Sequence, residues 1–115
     1  MEILHLTRSD DWDRALVVGE YRTSTLGLGL EEVGFIHAST AAQLPTIAEA
    51  IFAGSTEPLL VLVMDDDELR SAGIEVRYED GGDGDLYPHI YGEIPVPLVQ
   101  QTLPAHFDDA GVFGY

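Results

Sequence analysis

Hydrophobic and polar positions change period several times along the chain, and each change marks an element. Residues 2–7, EILHLT, alternate with a period of two, so Ile3, His5 and Thr7 share one face of a strand and Leu4 and Leu6 the other. The pattern turns helical over DDWDRALVVGE, with Trp12, Ala15, Leu16 and Val18 on the stripe expected to be buried. Ser9 reads as the N-cap, Asp10 and Asp11 fill the first turn where the helix dipole favours negative charge, and Gly19 ends the segment. Residues 21–33 hold no sustained period, and TLGLGLEE reads as a loop or a short helical turn. A second strand is predicted over residues 34–38. A helix follows, capped by Ser39 or Thr40, kinked or started by Pro45, and stopped after Phe52 by Gly54.

The second half of the chain is richer in strands. PLLVLVMD, residues 58–65, is a nearly continuous apolar run, as in a strand covered on both faces. Residues 65–72 read as a helical turn, 74–79 as a strand and DGGDGD, 80–85, as a flexible acidic loop. LYPHIY, 86–91, reads as a strand that Pro88 confines to an edge or a strand start. IPVPLVQQTLP predicts a turn and a last strand near 98–103, and the tail from His106 onward is expected to fray. Strand, helix, strand, helix and then mostly strands, with no repeat or linker, describes a single α+β domain over residues 1–115, with about two main helices packed on small mixed or antiparallel sheets.

Composition narrows the function classes. A chain of 115 residues with 45% apolar side chains buries roughly two-thirds of its unfolded surface, enough for a real core. Its longest apolar run, PLLVLVM, is too short to span a bilayer, and MEILHLT lacks the parts of a secretory signal, so a cytoplasmic protein without membrane contact is expected. The absence of cysteine removes disulfides, thiolate ligands and a cysteine nucleophile. Twenty-one acidic residues stand against five arginines and no lysine, for a net charge of −16. That field repels a polyanion, so nucleic acid is not an expected partner. Without lysine there is no Schiff-base chemistry. A small anionic ligand would need a locally positive pocket.

Candidate chemistry lies in the histidines. Three of the four repeat one grammar, apolar–His–apolar, in ILHLT, GFIHAST and YPHIY. Strand parity puts His5 with Thr7, His37 with Phe35 and Ser39, and His89 with Tyr87 and Tyr91. Each histidine thus has a hydroxyl two positions on, from the same face. At least two of the three are expected to meet in one pocket; the plain alternative is three separate core histidines with satisfied nitrogens. His106 has no such context. Three histidines could also hold zinc with an open position for water, but the i, i+4 histidine pair of a zinc-protease helix is missing, and neither DDDE (65–68) nor DGGDGD has calcium-loop spacing, so no metal is expected. There is no G-x-S-x-G elbow, and GLGLEE has the wrong glycine spacing for a dinucleotide turn.

Taken in order over about residues 2–100, ILHLTRSDDWDRALVVGEYR, GFIHAST, LLVLVMD and LYPHIYGEIPV resemble the small bacterial proteins of domain-of-unknown-function family 952. The resemblance implies an ADP-ribosyltransferase-like fold, in which a pair of small sheets forms a cleft that binds NAD or a related nucleotide. Its family-like core covers about residues 2–103, with a C-terminal tail over 104–115. In that wider group the first motif reads histidine-glycine-threonine, and here it is HLT. The second, GFIHAS, is more similar to the VHLS of the RNA 2′-phosphotransferase branch. The third usually supplies a glutamate where this chain has His89.

The resemblance makes His5, His37 and His89 the candidate catalytic residues, and Thr7, Arg8, Ser39 and Tyr91 the candidate nucleotide-binding ones. His5 would hold a ribose hydroxyl with Thr7 beside it, and Arg8, joined by Arg22, a phosphate. A carboxylate stabilises the positive charge that develops when a nicotinamide–ribose bond breaks, and a histidine does not. Glu79, on another strand, and Glu93, beyond Gly92, are the nearest acids in sequence. The expectation is therefore a nucleotide cleft without an assigned reaction. Two alternatives stay open: a non-catalytic ligand-sensing or interaction module, and a three-histidine metal-dependent hydrolase.

Overall fold

The computed structural model describes residues 1–115. The first half of the chain folds as β1 (Glu2–Arg8), α1 (Ser9–Val18), β2 (Glu20–Tyr21), β3 (Thr23–Thr25), β4 (Leu28–Gly29), α2 (Leu30–Val33), β5 (Ile36–His37) and α3 (Leu44–Phe52). The second half adds β6 (Leu59–Asp65), α4 (Asp66–Ser71), β7 (Glu75–Asp80), β8 (Leu86–Tyr91), β9 (Ile94–Pro95), a 3₁₀ turn (Val96–Leu98), β10 (Gln101–Phe107) and β11 (Phe113–Gly114). One sheet has the order β1-β6-β10-β11 and a second β5-β8-β7; β2-β9 and β3-β4 form short ribbons. Every strand pairing is antiparallel. No helix is long and apolar enough to cross a membrane.

The two sheets touch where β1 passes β5. Leu4 and Ser39 exchange both backbone hydrogen bonds at 2.8 Å, an isolated bridge rather than a ladder. Alternation along β1 and β6 divides the interior in two, because successive side chains leave opposite faces. Ile3, Leu62 and Met64 join Trp12, Ile36, Ile90 and their neighbours in one core. Leu4, Leu6, Val61 and Val63 pack with Leu44, Ala48 and Phe52 of α3 in the other. The apolar run of β6 is therefore covered on both faces, as its pattern predicts.

Several expectations change. Ser9 is the first residue of α1, not its cap; Arg8 holds the cap position without a side-chain bond, and the Ser9 N–H donates to the Pro58 carbonyl at 2.9 Å. Trp12 and Ala15 are buried, but Leu16 and Val18 are 53% and 71% exposed. The third buried position of α1 belongs to Asp11, which accepts from Arg8 and Arg14. Gly19, at φ 92, does end the helix. Residues 20–33 form the short strands β2, β3 and β4 and the one-turn α2.

Pro45 lies in the first turn of α3 and starts it, where a missing N–H costs nothing. Thr40 and Gln43 bond reciprocally just before it. Pro88 sits in the middle strand of its sheet, not at an edge. Its carbonyl accepts from Ala38 on the β5 side at 3.0 Å, so its absent N–H also faces β5. The β7 side of the ladder loses nothing, and β5 stops after two residues instead of covering 34–38. The last long strand runs over residues 101–107, later than expected, and the chain end does not fray: β11 pairs with β10, and Ala105 and Phe113 belong to the second core.

Candidate functional site

His5 projects from β1 between the sheets and is 3% exposed. Its Nδ1 faces the His37 carbonyl, which can only accept, so Nδ1 carries the proton. Nε2 must then accept, and the Tyr21 hydroxyl donates to it at 2.7 Å. Burial pulls the His5 pKa down to about 4 and pushes the fully buried Tyr21 hydroxyl above its ordinary value. Thr7, one side-chain repeat further on, is also buried, its hydroxyl donating to the Arg8 carbonyl at 3.5 Å. Both ring nitrogens of His5 are occupied by the protein itself.

His37 differs. Its ring is half-buried on β5 with no hydrogen-bond partner among the side chains around it, 5.4 Å from the His89 ring and 5.6 Å from Tyr87, centroid to centroid. Burial, and then the neighbouring His89, lower its pKa to about 4, so it is a neutral imidazole at pH 7. Cross-strand register puts His37 opposite His89, and β8 sets His89 on one face with Tyr87 and Tyr91. This is where two of the three histidines meet.

His89 is 6% exposed and stacked under Phe35, ring centroids 3.9 Å apart and 14° from parallel. Its Nδ1 lies 2.8 Å from Glu79 Oε1, and Tyr91 donates its hydroxyl to the same oxygen. Those two bonds, Tyr91 first, hold the Glu79 carboxyl below its ordinary value. The Arg77 guanidinium lies 4.8 Å from the centre of the Tyr91 ring and pairs with Glu75 at 2.9 Å. Glu79 is the partner that parity alone does not find: it faces Tyr87 in register and reaches His89 diagonally. The signal that would find it is a glutamate two residues after an arginine on the strand preceding the acidic loop, paired hairpin-fashion with LYPHIY.

The remaining candidates disperse. Arg8 is held by Asp11 at 3.1 Å and Glu57 at 3.8 Å, and Arg22 by Glu31 at 3.0 Å and Glu93 at 3.5 Å. Neither faces a cleft as a free cation. The ligating nitrogens of His5, His37 and His89 do not come within 4.8 Å of one another as a set of three, so the metal-hydrolase alternative lacks its geometry.

An open groove of about 350 Å3 runs past His37. Its walls are apolar, formed by Val33, Phe35, Ile47 and Ile51, with Ser24 and Thr25 at one side. The Ser24 hydroxyl donates to the Phe35 carbonyl at 2.6 Å, fixing the wall that also covers His89. A small void of about 10 Å3 beside Ser39 adjoins the groove, sharing His37 with it. The arrangement offers a half-enclosed apolar slot with one neutral imidazole on its floor and no cation.

The family described as "Protein of unknown function (DUF952)" matches residues 6–102. Among solved structures, the X-ray crystal structure of protein CC0527 from Caulobacter crescentus is similar at a TM-score of 0.83 and 25% identity, over 99% of this chain and 94% of that one. A double mutant of the same protein gives 0.83 at 24% identity, over the same shares of the two chains. Its solution NMR structure gives 0.77 at 24% identity, over 96% of this chain and 90% of that one. No curated protein matches the chain in sequence.

Proposed function

As the chain belongs to the family of proteins of unknown function DUF952, we propose for it a ligand-binding role on an ADP-ribosyltransferase-like scaffold, in which the groove beside His37 takes NAD or a related nucleotide. The observation that carries this reading is the groove itself, about 350 Å3 with apolar walls around an imidazole that has no partner of its own. A slot of that size and lining suits a planar ring, with a few polar groups to orient it. His37 and Ser39 face the ligand in this reading. His89, Glu79 and Tyr91 stand behind Phe35 and hold the wall. His5 acts only through the backbone of β5, so it is a positioning residue, and Thr7 bonds the Arg8 carbonyl of its own strand.

Binding without turnover is favoured by one specific feature. His5 cannot hold a ribose hydroxyl while both its nitrogens are occupied by His37 and Tyr21. A ligand-sensing module is therefore preferred to a transferase. The test is a ligand-observed NMR titration with NAD, ADP-ribose and AMP, run on the wild type and on a folded His37→Ala variant. Binding that weakens at least tenfold in the variant, with no nicotinamide released from NAD, is the expected result. No binding by the well-folded wild type overturns the nucleotide reading, and nicotinamide release overturns the preference for a sensor.

A further inference from the structure

Ser39 is 1% exposed, and its backbone is already satisfied by Leu4. Its hydroxyl is not: Oγ is the one buried side-chain polar atom in the molecule without a hydrogen-bond partner. Native interiors hold few such groups, and each calls for an explanation such as a missing water or ligand. Ser39 lines the void of about 10 Å3, just large enough for one water-sized group. That void shares Ser24, Thr25, His37, Ile47 and Ile51 with the open groove. The orphan hydroxyl thus belongs to a residue of the void that adjoins the slot beside His37.

Charge gives an independent constraint. Each of the five arginines is paired with a carboxylate: Arg8 and Arg14 with Asp11, Arg22 with Glu31 and Glu93, Arg70 with Asp66, Arg77 with Glu75. None of them lines the groove or the void. The net charge of −16 adds a repulsive field over the whole surface. A phosphate group brought here would find no counter-charge.

We propose that the groove holds an uncharged planar ring, a nucleobase or its nucleoside, whose polar ring substituent enters the inner void and bonds the Ser39 hydroxyl, and that phosphates on such a ligand add nothing to binding. The inference rests on the nucleotide-cleft reading above and names the part of the ligand that is recognised. Hydrogen bonding at the closed end sets the orientation of the ring, and the apolar walls supply the remaining contact. Any phosphate chain points out of the slot into solvent.

The experiment compares dissociation constants for two neutral rings, adenosine and nicotinamide, with those for AMP and ADP-ribose, at low and high salt, on the wild type and on Ser39→Ala. At least one neutral ring is expected to bind as tightly as either phosphorylated ligand, with no salt dependence. Ser39→Ala removes an unsatisfied hydroxyl, so it should melt no lower than the wild type while weakening that ring about tenfold, one hydrogen bond's worth. AMP or ADP-ribose binding tenfold tighter than both neutral rings overturns the inference but leaves the nucleotide cleft standing. Unchanged ring affinity in Ser39→Ala also overturns it, and assigns the void to a structural water. Absence of binding by all four ligands overturns both readings together.

Discussion

A neutral imidazole has one donor and one acceptor, and His5 places both inside the protein, tying β1 to β5 through the His37 carbonyl and to β2 through Tyr21. Protonation would put a charge into the core, and that burial is why the pKa falls to about 4. The folded value lies below the ordinary 6.5, so the unfolded chain takes up the proton first and stability is lost as pH drops from 6.5 toward 4. His37 acts in the same direction. Linkage puts the His5 share at about 2 kcal/mol between pH 7 and pH 5. Urea unfolding at those two pH values should show the wild type weaker at pH 5 by at least that order. His5→Phe should be destabilised at pH 7 by about 3 kcal/mol, because two buried partners are left unpaired, and should show a shallower pH slope. An equal slope in the variant would contradict the assignment. At this scale the sequence marks three histidines of one local grammar; which of them has a free nitrogen depends on Tyr21, Glu79 and Phe35, whose approach no local pattern encodes.

Elements of seven or more residues with a regular period, such as β1 and β6, are readable from the chain because burial acts on every residue of a face. Strands of two residues carry no period, so β2, β4 and β9 come only from the fold, and β5 is legible in the chain but shorter than its pattern predicts. Pro88 misleads for a related reason. Its conformation is fixed, but the side of the ladder that lacks a donor depends on register. The C-terminal hairpin is a further case, since Phe113 is held by packing on Phe107 and α3, at 5.5 Å between the two rings. Phe113→Ala should therefore cost about 3 kcal/mol in chemical denaturation, whereas a frayed tail would leave stability unchanged. The acidic loop after β7 is equally constrained: a Cβ at Gly81 would run into the Tyr87 ring, whose hydroxyl bonds Asp83. Gly81→Ala should lower the melting temperature and shift the Tyr87 resonances, the cost being about 1–3 kcal/mol as for other overpacked contacts. An unchanged Tyr87 environment would show that the loop is not packed there.

Across the whole molecule the net charge of −16 is spread over a small body whose five cations are all taken up in ion pairs. Carboxylate repulsion should outweigh those pairs, of which the exposed ones, such as Arg22–Glu31 and Arg77–Glu75, are each worth less than about 1 kcal/mol. Added neutral salt screens both, so the melting temperature is expected to rise between low salt and about 0.5 M sodium chloride, where the screening length falls to a few ångströms; a fall would mean that the ion pairs dominate. The groove belongs to this scale as well. It lies between α3, which contributes three residues, and β3, Val33, Phe35, β5 and Gly81, which contribute one or two each. The sequence by itself determined the α+β class, the long strands, the two main helices, the charge that disfavours polyanions and the family, because periodicity, composition and motif order are properties of neighbours along the chain. Only the tertiary structure decided that His37 meets His89, that His5 is saturated, that every arginine is paired and that the Ser39 hydroxyl is left over. Each of those depends on sheet register and on the single bridge that joins the two sheets, which are set by the packing of residues distant in sequence.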